Sequence, residues 1–206
     1  MTRGGRISIE HRKKTEHIPL KKTVFLMVEG ESEKVYFDRI ARLPSNYSIT
    51  AQVSEDKKCT DIIENCAKIA DRKGLDDDDL KIAVFDLDVV DEQLLNEAVA
   101  LANKEGVIIM ASNLSFELWL LLHFEDPSHV YTQDDYEERL TGLLGRKYAK
   151  AKGLGDKVNP ESIKNAVKRG KAILPDENPL KCKDTPNSSM LWKLIRTIME
   201  NESTDK

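Results

Sequence analysis

No stretch of this sequence approaches the roughly 20 consecutive apolar residues that cross a bilayer, so no membrane-spanning helix is expected. The basic first residues precede no apolar segment and no small-residue cleavage pattern, so a secretory leader is not expected and the chain reads as cytoplasmic. Cysteine is scarce: Cys59, Cys66 and Cys182 are odd in number and lack Cys-x-x-Cys or zinc-ligand spacing. They read as free thiols, against a disulfide framework. His11 and His17 have no acid at ligand spacing. Internal repeats and low-complexity tracts are lacking too.

What the chain has is charge, unevenly spread. Of 206 residues, 33% are charged and 40% hydrophobic, which suits one globular domain with an appendage. Residues 1–23 hold seven Lys/Arg against two Asp/Glu, residues 24–145 eleven against twenty-six, and residues 146–206 fourteen against eight. An acidic centre between basic ends suits a metal site acting on a polyanion, and it also arises from solubility alone.

Two apolar runs carry the chemistry. Thr23 to Val28 is of strand length and ends in Glu29-Gly30-Glu31-Ser32-Glu33. A continuous run of this kind indicates a strand buried on both faces. Glu29 is not needed to make that strand, and the carboxyl end of a central strand is where open α/β sheets place their chemistry. The plain alternative is a carboxylate favoured by the helix dipole. Ile82 to Phe85 is a second such strand and ends in Asp86-Leu87-Asp88. If the strand persists, both aspartates point to one side; if it bends, both can still reach one ion. Paired carboxylates repel unless a cation lies between them, and an oxygen-only donor set suits Mg²⁺ or Mn²⁺ rather than zinc. A solvated acidic loop is the alternative.

Val107 to Ala111 is a further buried strand, followed by Ser112-Asn113-Leu114-Ser115-Phe116-Glu117-Leu118-Trp119-Leu120-Leu121-Leu122-His123-Phe124. Glu117 stands in so apolar a segment that burying it is costly unless it is paired or metal-bound. It is a third acidic locus, or else a residue on the wet face of its helix. His123 either orients a nearby acid or caps the helix end.

Glu29 after one strand and Asp86-x-Asp88 after another resemble the TOPRIM fold of topoisomerases, primases and OLD-type nucleases. With Tyr36-Phe37 and the thirteen residues from Ser112 to Phe124, the sequence looks more closely like the RloB-like family, from about Val24 to Lys150 and more weakly over the C-terminus. Leu114 departs from the proline expected there, a change to the turn rather than the chemistry. The resemblance implies an α/β, Rossmann-like, mostly parallel four-stranded sheet flanked by helices. It implies that Glu29, Asp86 and Asp88 are catalytic and hold Mg²⁺ or Mn²⁺, that Glu33 serves a second ion, and that Lys150 stands near the scissile phosphate. It also implies an anti-phage defence effector with an AAA- or ABC-type ATPase partner.

The rest of the chain fits that frame. Residues 1–22, with His11-Arg12-Lys13-Lys14, read as a basic arm, either phosphate-contacting or merely solvated. Residues 23–130 form the TOPRIM-like core and 131–206 a helical extension packing on it. Ser32 is expected to cap a helix reaching about Leu43, with Val35, Tyr36, Ile40 and Leu43 inward. Tyr47 to Val53 is a short strand, and Thr60 to Lys73 and Asp91 to Glu105 are amphipathic helices. Asp76-Asp77-Asp78-Asp79 is read as a hydrated loop, not a metal cluster. Helices are expected over Asp134–Leu144, Pro160–Ile173 and Asn187–Glu200, the last starting at Asn187-Ser188-Ser189. Arg146-Lys147-Tyr148-Ala149-Lys150, framed by glycines, is a candidate nucleic-acid grip through Arg146, Lys147 and Lys150.

The first reading is therefore a Mg²⁺-dependent endonuclease acting on RNA, tRNA included, or DNA, with Glu33 and Glu117 supporting a second ion. The second is a non-catalytic TOPRIM-like module that binds nucleic acid or an ATPase, and either form could be a homodimer. Topoisomerase-like strand transfer needs a nucleophilic tyrosine in an added domain, for which the chain has little room.

Overall fold

The computed structural model describes residues 21–200. The basic arm expected over 1–22 therefore falls, apart from Lys21 and Lys22, outside the described residues. Four parallel strands follow from three apolar runs and the stretch Tyr47–Val53: β1 (Lys22–Val28), β2 (Tyr47–Val53), β3 (Leu80–Asp86) and β4 (Ile108–Asn113). A fifth, β5 (Ser188–Ser189), runs antiparallel to β4, with Asn113 opposite Ser188. The order across the sheet is β2-β1-β3-β4-β5. The sheet is thus five-stranded rather than four-stranded, and Ser188 and Ser189 form its edge rather than opening a helix.

Burial explains the order. Val24 to Val28 are all buried, so β1 takes a central place. β2 alternates between half-buried and exposed residues, as an edge strand does. The chain steps from β1 to β2 in one direction, then crosses back to β3 and β4. With right-handed crossovers, α1 (Glu31–Ile40) lies on one face, and α2 (Cys59–Arg72) and α3 (Glu92–Glu105) lie on the other. The reversal leaves a topological switch point between the carboxyl ends of β1 and β3.

Helix boundaries shift slightly from expectation. α1 stops at Ile40, and Val35 is only half-buried. Asp91 caps α3 by accepting from the Leu94 N–H (2.8 Å), and Gly106 closes it in the left-handed region at φ 65. The four-aspartate loop carries no cluster chemistry: Asp79 accepts from the Thr23 and Asp76 N–H groups at 2.7 and 3.2 Å, which folds the loop onto β1.

The C-terminal region contains α5 (Gln133–Leu144), α6 (Pro160–Ile173), α7 (Pro179–Asp184) and α8 (Leu191–Met199), after the short α4 (Phe116–Leu121). The sequence pattern alone does not foretell α7. The inward row Leu191, Leu194, Ile195 and Ile198 of α8 is buried, as its spacing implies. Asn187 takes φ 51 and accepts from the Tyr136 hydroxyl at 2.8 Å, tying β5 to α5. All three cysteines are free and buried. Among the described residues no helix is long and apolar enough to cross a membrane.

Gly170 on α6 sits at a close approach to α8. A Cβ there would lie 3.0 Å from Trp192 Cβ and 3.4 Å from the Trp119 ring. Alanine improves helix propensity by about 1 kcal/mol, but overpacking costs about 1–3 kcal/mol, and Trp192 Cβ cannot swing away. Gly170→Ala is expected to lower the thermal unfolding midpoint; a rise would mean that α6 and α8 can separate freely.

Candidate active site

The switch point gathers the predicted acids. Both central strands end there, since the Glu29 N–H donates to Val84 O (3.1 Å) and the Leu87 N–H to Ser112 O (3.0 Å). The Glu29 carboxylate turns across and accepts from the Asp86 main-chain N–H at 3.0 Å. Strand β3 ends at Asp86, so the chain bends before Asp88, which is exposed and accepts from the Val89 N–H at 2.8 Å. Asp88 nonetheless acts electrostatically on both Glu29 and Asp86.

Behind this pair lies a buried wall. Glu33 sits in the first turn of α1 and is 4% exposed, and Glu117 on α4 is 1% exposed. Gly30 makes room for Glu33, because a Cβ at Gly30 would meet Glu33 Oε2 at 3.1 Å. The glycine is needed for space and not for its backbone, which is ordinary extended chain at φ −146. Glu31 is exposed.

Glu117 is held by donors from three other segments. Oε1 accepts from the Ser32 hydroxyl (3.2 Å) and the Tyr148 hydroxyl (3.0 Å), and Oε2 from the Gln133 amide (3.3 Å). Lys150 Nζ stands 3.7 Å from Oε1. Ser32 therefore does not cap α1; Gly30 occupies that position with no side-chain cap. Tyr148 is buried, so it is no stacking platform for bases but the anchor that plants the Lys150 segment against Glu117.

Crowded carboxyl groups resist ionisation. Burial raises the Asp86 carboxyl well above its ordinary value, and Glu33, Glu29, Glu117 and Asp88 raise it further. Burial raises Glu29 too, against the Asp86 N–H bond, and Asp88 adds to the rise. Glu33 is pushed up to about 7 by burial, then by Glu117 and Glu29, its own N–H opposing. At Lys150 burial disfavours the charge, but Glu117, Asp86, Glu33 and Glu137 outweigh it, and the ammonium is held more firmly than usual.

The donor set is carboxylate oxygen, which fits a hard divalent cation and not zinc. Glu29, Asp86 and Asp88 line the open side, Glu33 and Glu117 the closed side. Among the described residues no three His, Cys, Asp or Glu side chains are drawn close enough to share one ion.

Arg146 and Lys147 are exposed, and the Arg146 guanidinium donates to Gly153 O (2.9 Å) and Lys147 O (3.4 Å), closing its own loop. His123 plays no part in the site. It is 3% exposed; Nδ1–H donates to Trp119 O (3.0 Å) and Nε2 faces the Tyr36 hydroxyl at 3.2 Å. Burial lowers its pKa to about 4, and it serves as an aromatic core residue against Tyr36 and Trp119.

Ser32, Gln133 and Tyr148 are site residues that sequence pattern alone does not reveal. Tyr148 leaves a trace, a lone aromatic within a basic run. Gln133 leaves none, because its role arises only when α5 docks on α4.

The Glu33 carboxyl titrates at 4.5 in the unfolded chain and at about 7 in the fold, so the folded state binds the extra proton between those values. Its contribution to stability is thus lost as pH rises through that window. In EDTA, Glu33→Gln is expected to be on the order of 2–3 kcal/mol more stable than wild type at pH 8, with little difference at pH 4. Denaturant unfolding at both pH values checks this, and equal stabilities at pH 8 would remove Glu33 from the repelling cluster.

The family model described as RloB-like protein matches residues 24–198. Comparisons with curated proteins and with solved structures return no match.

Proposed function

The chain belongs to the RloB-like family, and from that premise we propose that it is a metal-dependent, TOPRIM-type endonuclease hydrolysing phosphodiester bonds of RNA, tRNA included, or DNA. The observation that carries this reading is the pairing of Glu29 with Asp86 at the switch point, backed by two buried glutamates. A fold gains nothing from concentrating carboxyl groups beside a polyanion unless a cation joins them. Mg²⁺ or Mn²⁺ would supply charge neutralisation and an activated water there.

The chain's residues divide the remaining tasks. Glu29, Asp86 and Asp88 would hold one ion, with Glu33 and Glu117 facing a second. Ser32, Tyr148 and Gln133 keep Glu117 in one orientation, so little side-chain reorganisation is needed during turnover. Lys150 presents a fixed positive charge toward the phosphate where negative charge develops. The role of anti-phage effector with an ATPase partner belongs to this proposal and takes its support from the family resemblance alone.

The second reading, a non-catalytic binding module, takes its support from the spacing of the acids, which form no ready-made cluster among the described residues. A cleavage assay separates the two. The purified chain is incubated with tRNA, single-stranded DNA and plasmid in Mg²⁺, Mn²⁺ or EDTA. The nuclease reading expects metal-dependent cleavage that Asp86→Asn abolishes, with nucleic-acid affinity intact or higher. Lys150→Ala is expected to lower kcat by about 10²-fold, as removal of a transition-state charge partner does, and to alter affinity less. A wild-type chain inert on every substrate, with Asp86→Asn binding just as wild type does, would favour the module.

A further inference from the structure

Two lysines outside the acidic motifs reach the same edge of the sheet from opposite sides. Lys57 follows β2, and its Nζ donates to the main-chain carbonyl of Glu29. The Ser54 N–H donates to Val28 O (2.8 Å), which seats the loop leading to Lys57 beside the end of β1. Lys183 lies near the end of α7, and its Nζ donates to Leu87 O at 2.8 Å, the residue between Asp86 and Asp88. Because β5 is antiparallel, the chain entering it lies at the carboxyl end of β4. There the two N–H groups of the Asn113 amide are shared among Lys183 O (2.8 Å), Cys182 O (3.1 Å) and Thr185 O (3.2 Å), and the Ser188 hydroxyl is within 3.0 Å of Cys182 O. The end of α7 is thus fastened to β4, which fixes where Lys183 can reach.

These two ammonium groups differ from Lys150, which faces a carboxylate. Each rests on a neutral carbonyl, and among the described residues neither forms a salt bridge, although the Lys57 charge also acts on the neighbouring Glu29 carboxyl. An ammonium carries three donors, so each retains two beyond its carbonyl contact. Neutralisation by a carboxylate would cancel the ammonium charge; a carbonyl only locates it. A point charge with spare donors, held beside an acidic centre, suits a phosphate.

We propose that Lys57 and Lys183 are a pair of phosphate-binding residues that hold the phosphates on either side of the one attacked. A single polynucleotide strand would then cross the carboxyl edge of the sheet from the β2 side to the β5 side, over Glu29 and Asp86. This rests on the nuclease reading for the identity of the attacked phosphate, but the strand-binding role can be measured without cleavage. It also explains why α7 is tied so closely to β4: the tie sets the position of one clamp.

The test uses the full chain and a fluorescein-labelled single-stranded 20-mer, as RNA and as DNA. Binding is measured in EDTA over 50–300 mM salt, and cleavage in Mg²⁺. The variants are Lys57→Met with Lys183→Met, the corresponding double arginine change, and Lys164→Ala on the exposed side of α6 as a control. Each phosphate contact contributes about 0.7 to the slope of log affinity against log salt for a single strand. The double methionine variant is expected to lose about 1.4 from that slope and to raise KM several-fold. The arginine variant should restore both, and Lys164→Ala should leave both unchanged. If wild type cleaves while the methionine variant keeps its slope and KM, the lysine pair is not a phosphate clamp and the nuclease reading stands. A lower unfolding midpoint with an unchanged slope likewise overturns the clamp, since the lysines would then be braces. If wild type binds with the lysine-dependent slope but never cleaves, the clamp stands and the nuclease reading falls.

Discussion

The site depends on carboxyl groups forced together at the end of two parallel strands. Glu29 and Asp86 come from adjacent strands whose spacing is set by the ladder, so they cannot separate without breaking the sheet. Glu33 and Glu117 close on them from two helices, α1 and α4. In a medium less polar than water this crowding is costly, and the protein meets the cost in two ways. Protons stay longer on Asp86, Glu29 and Glu33, and donors are brought to the carboxylate that is most enclosed.

Those donors give the C-terminal region its place in the structure. Gln133 begins α5, Tyr148 and Lys150 lie in the segment after it, and all three address Glu117. The family match runs without interruption across this region and the sheet. Removal of these residues would leave a buried carboxylate with only Ser32 as a donor, which is strongly unfavourable. The helices beyond the sheet are therefore part of how the acidic centre is tolerated, besides covering apolar surface. β5 and α7 act similarly at the other edge, where Asn113 and Ser188 secure the approach of Lys183.

The open and closed sides of the site have different physical characters. Asp88 is exposed and Glu29 and Asp86 are half-buried, while Glu33 and Glu117 are buried, and Tyr36, Phe116 and Trp119 pack edge to face within the core. His123 belongs to that aromatic cluster. Its neutral ring bridges Trp119 O and the Tyr36 hydroxyl, and a charged imidazole there would be unpaired.

Much of this was legible in the residues themselves. Apolar runs of strand length, each ending in an acid, specify both the parallel strands and where their chemistry lies, because strand burial and chain reversal are local consequences of side-chain type. The buried charge of Glu117 was legible for the same reason: six of the seven residues from Phe116 to Leu122 are apolar. Other features depended on contacts between residues far apart in the chain. Ser32 has the right place for a helix cap, and only the docking of α4 turns its hydroxyl to Glu117, 85 positions away. Tyr148 sits among basic residues that suggest a surface grip, yet its ring is buried because Glu117 needs a donor. Ser188 and Ser189 have the composition of a helix start, and the free edge of β4 makes them a strand. Local patterns determine the long strands and helices, whereas short elements such as β5 and hydrogen-bond partners far apart in the chain are chosen by packing, which no window of sequence contains.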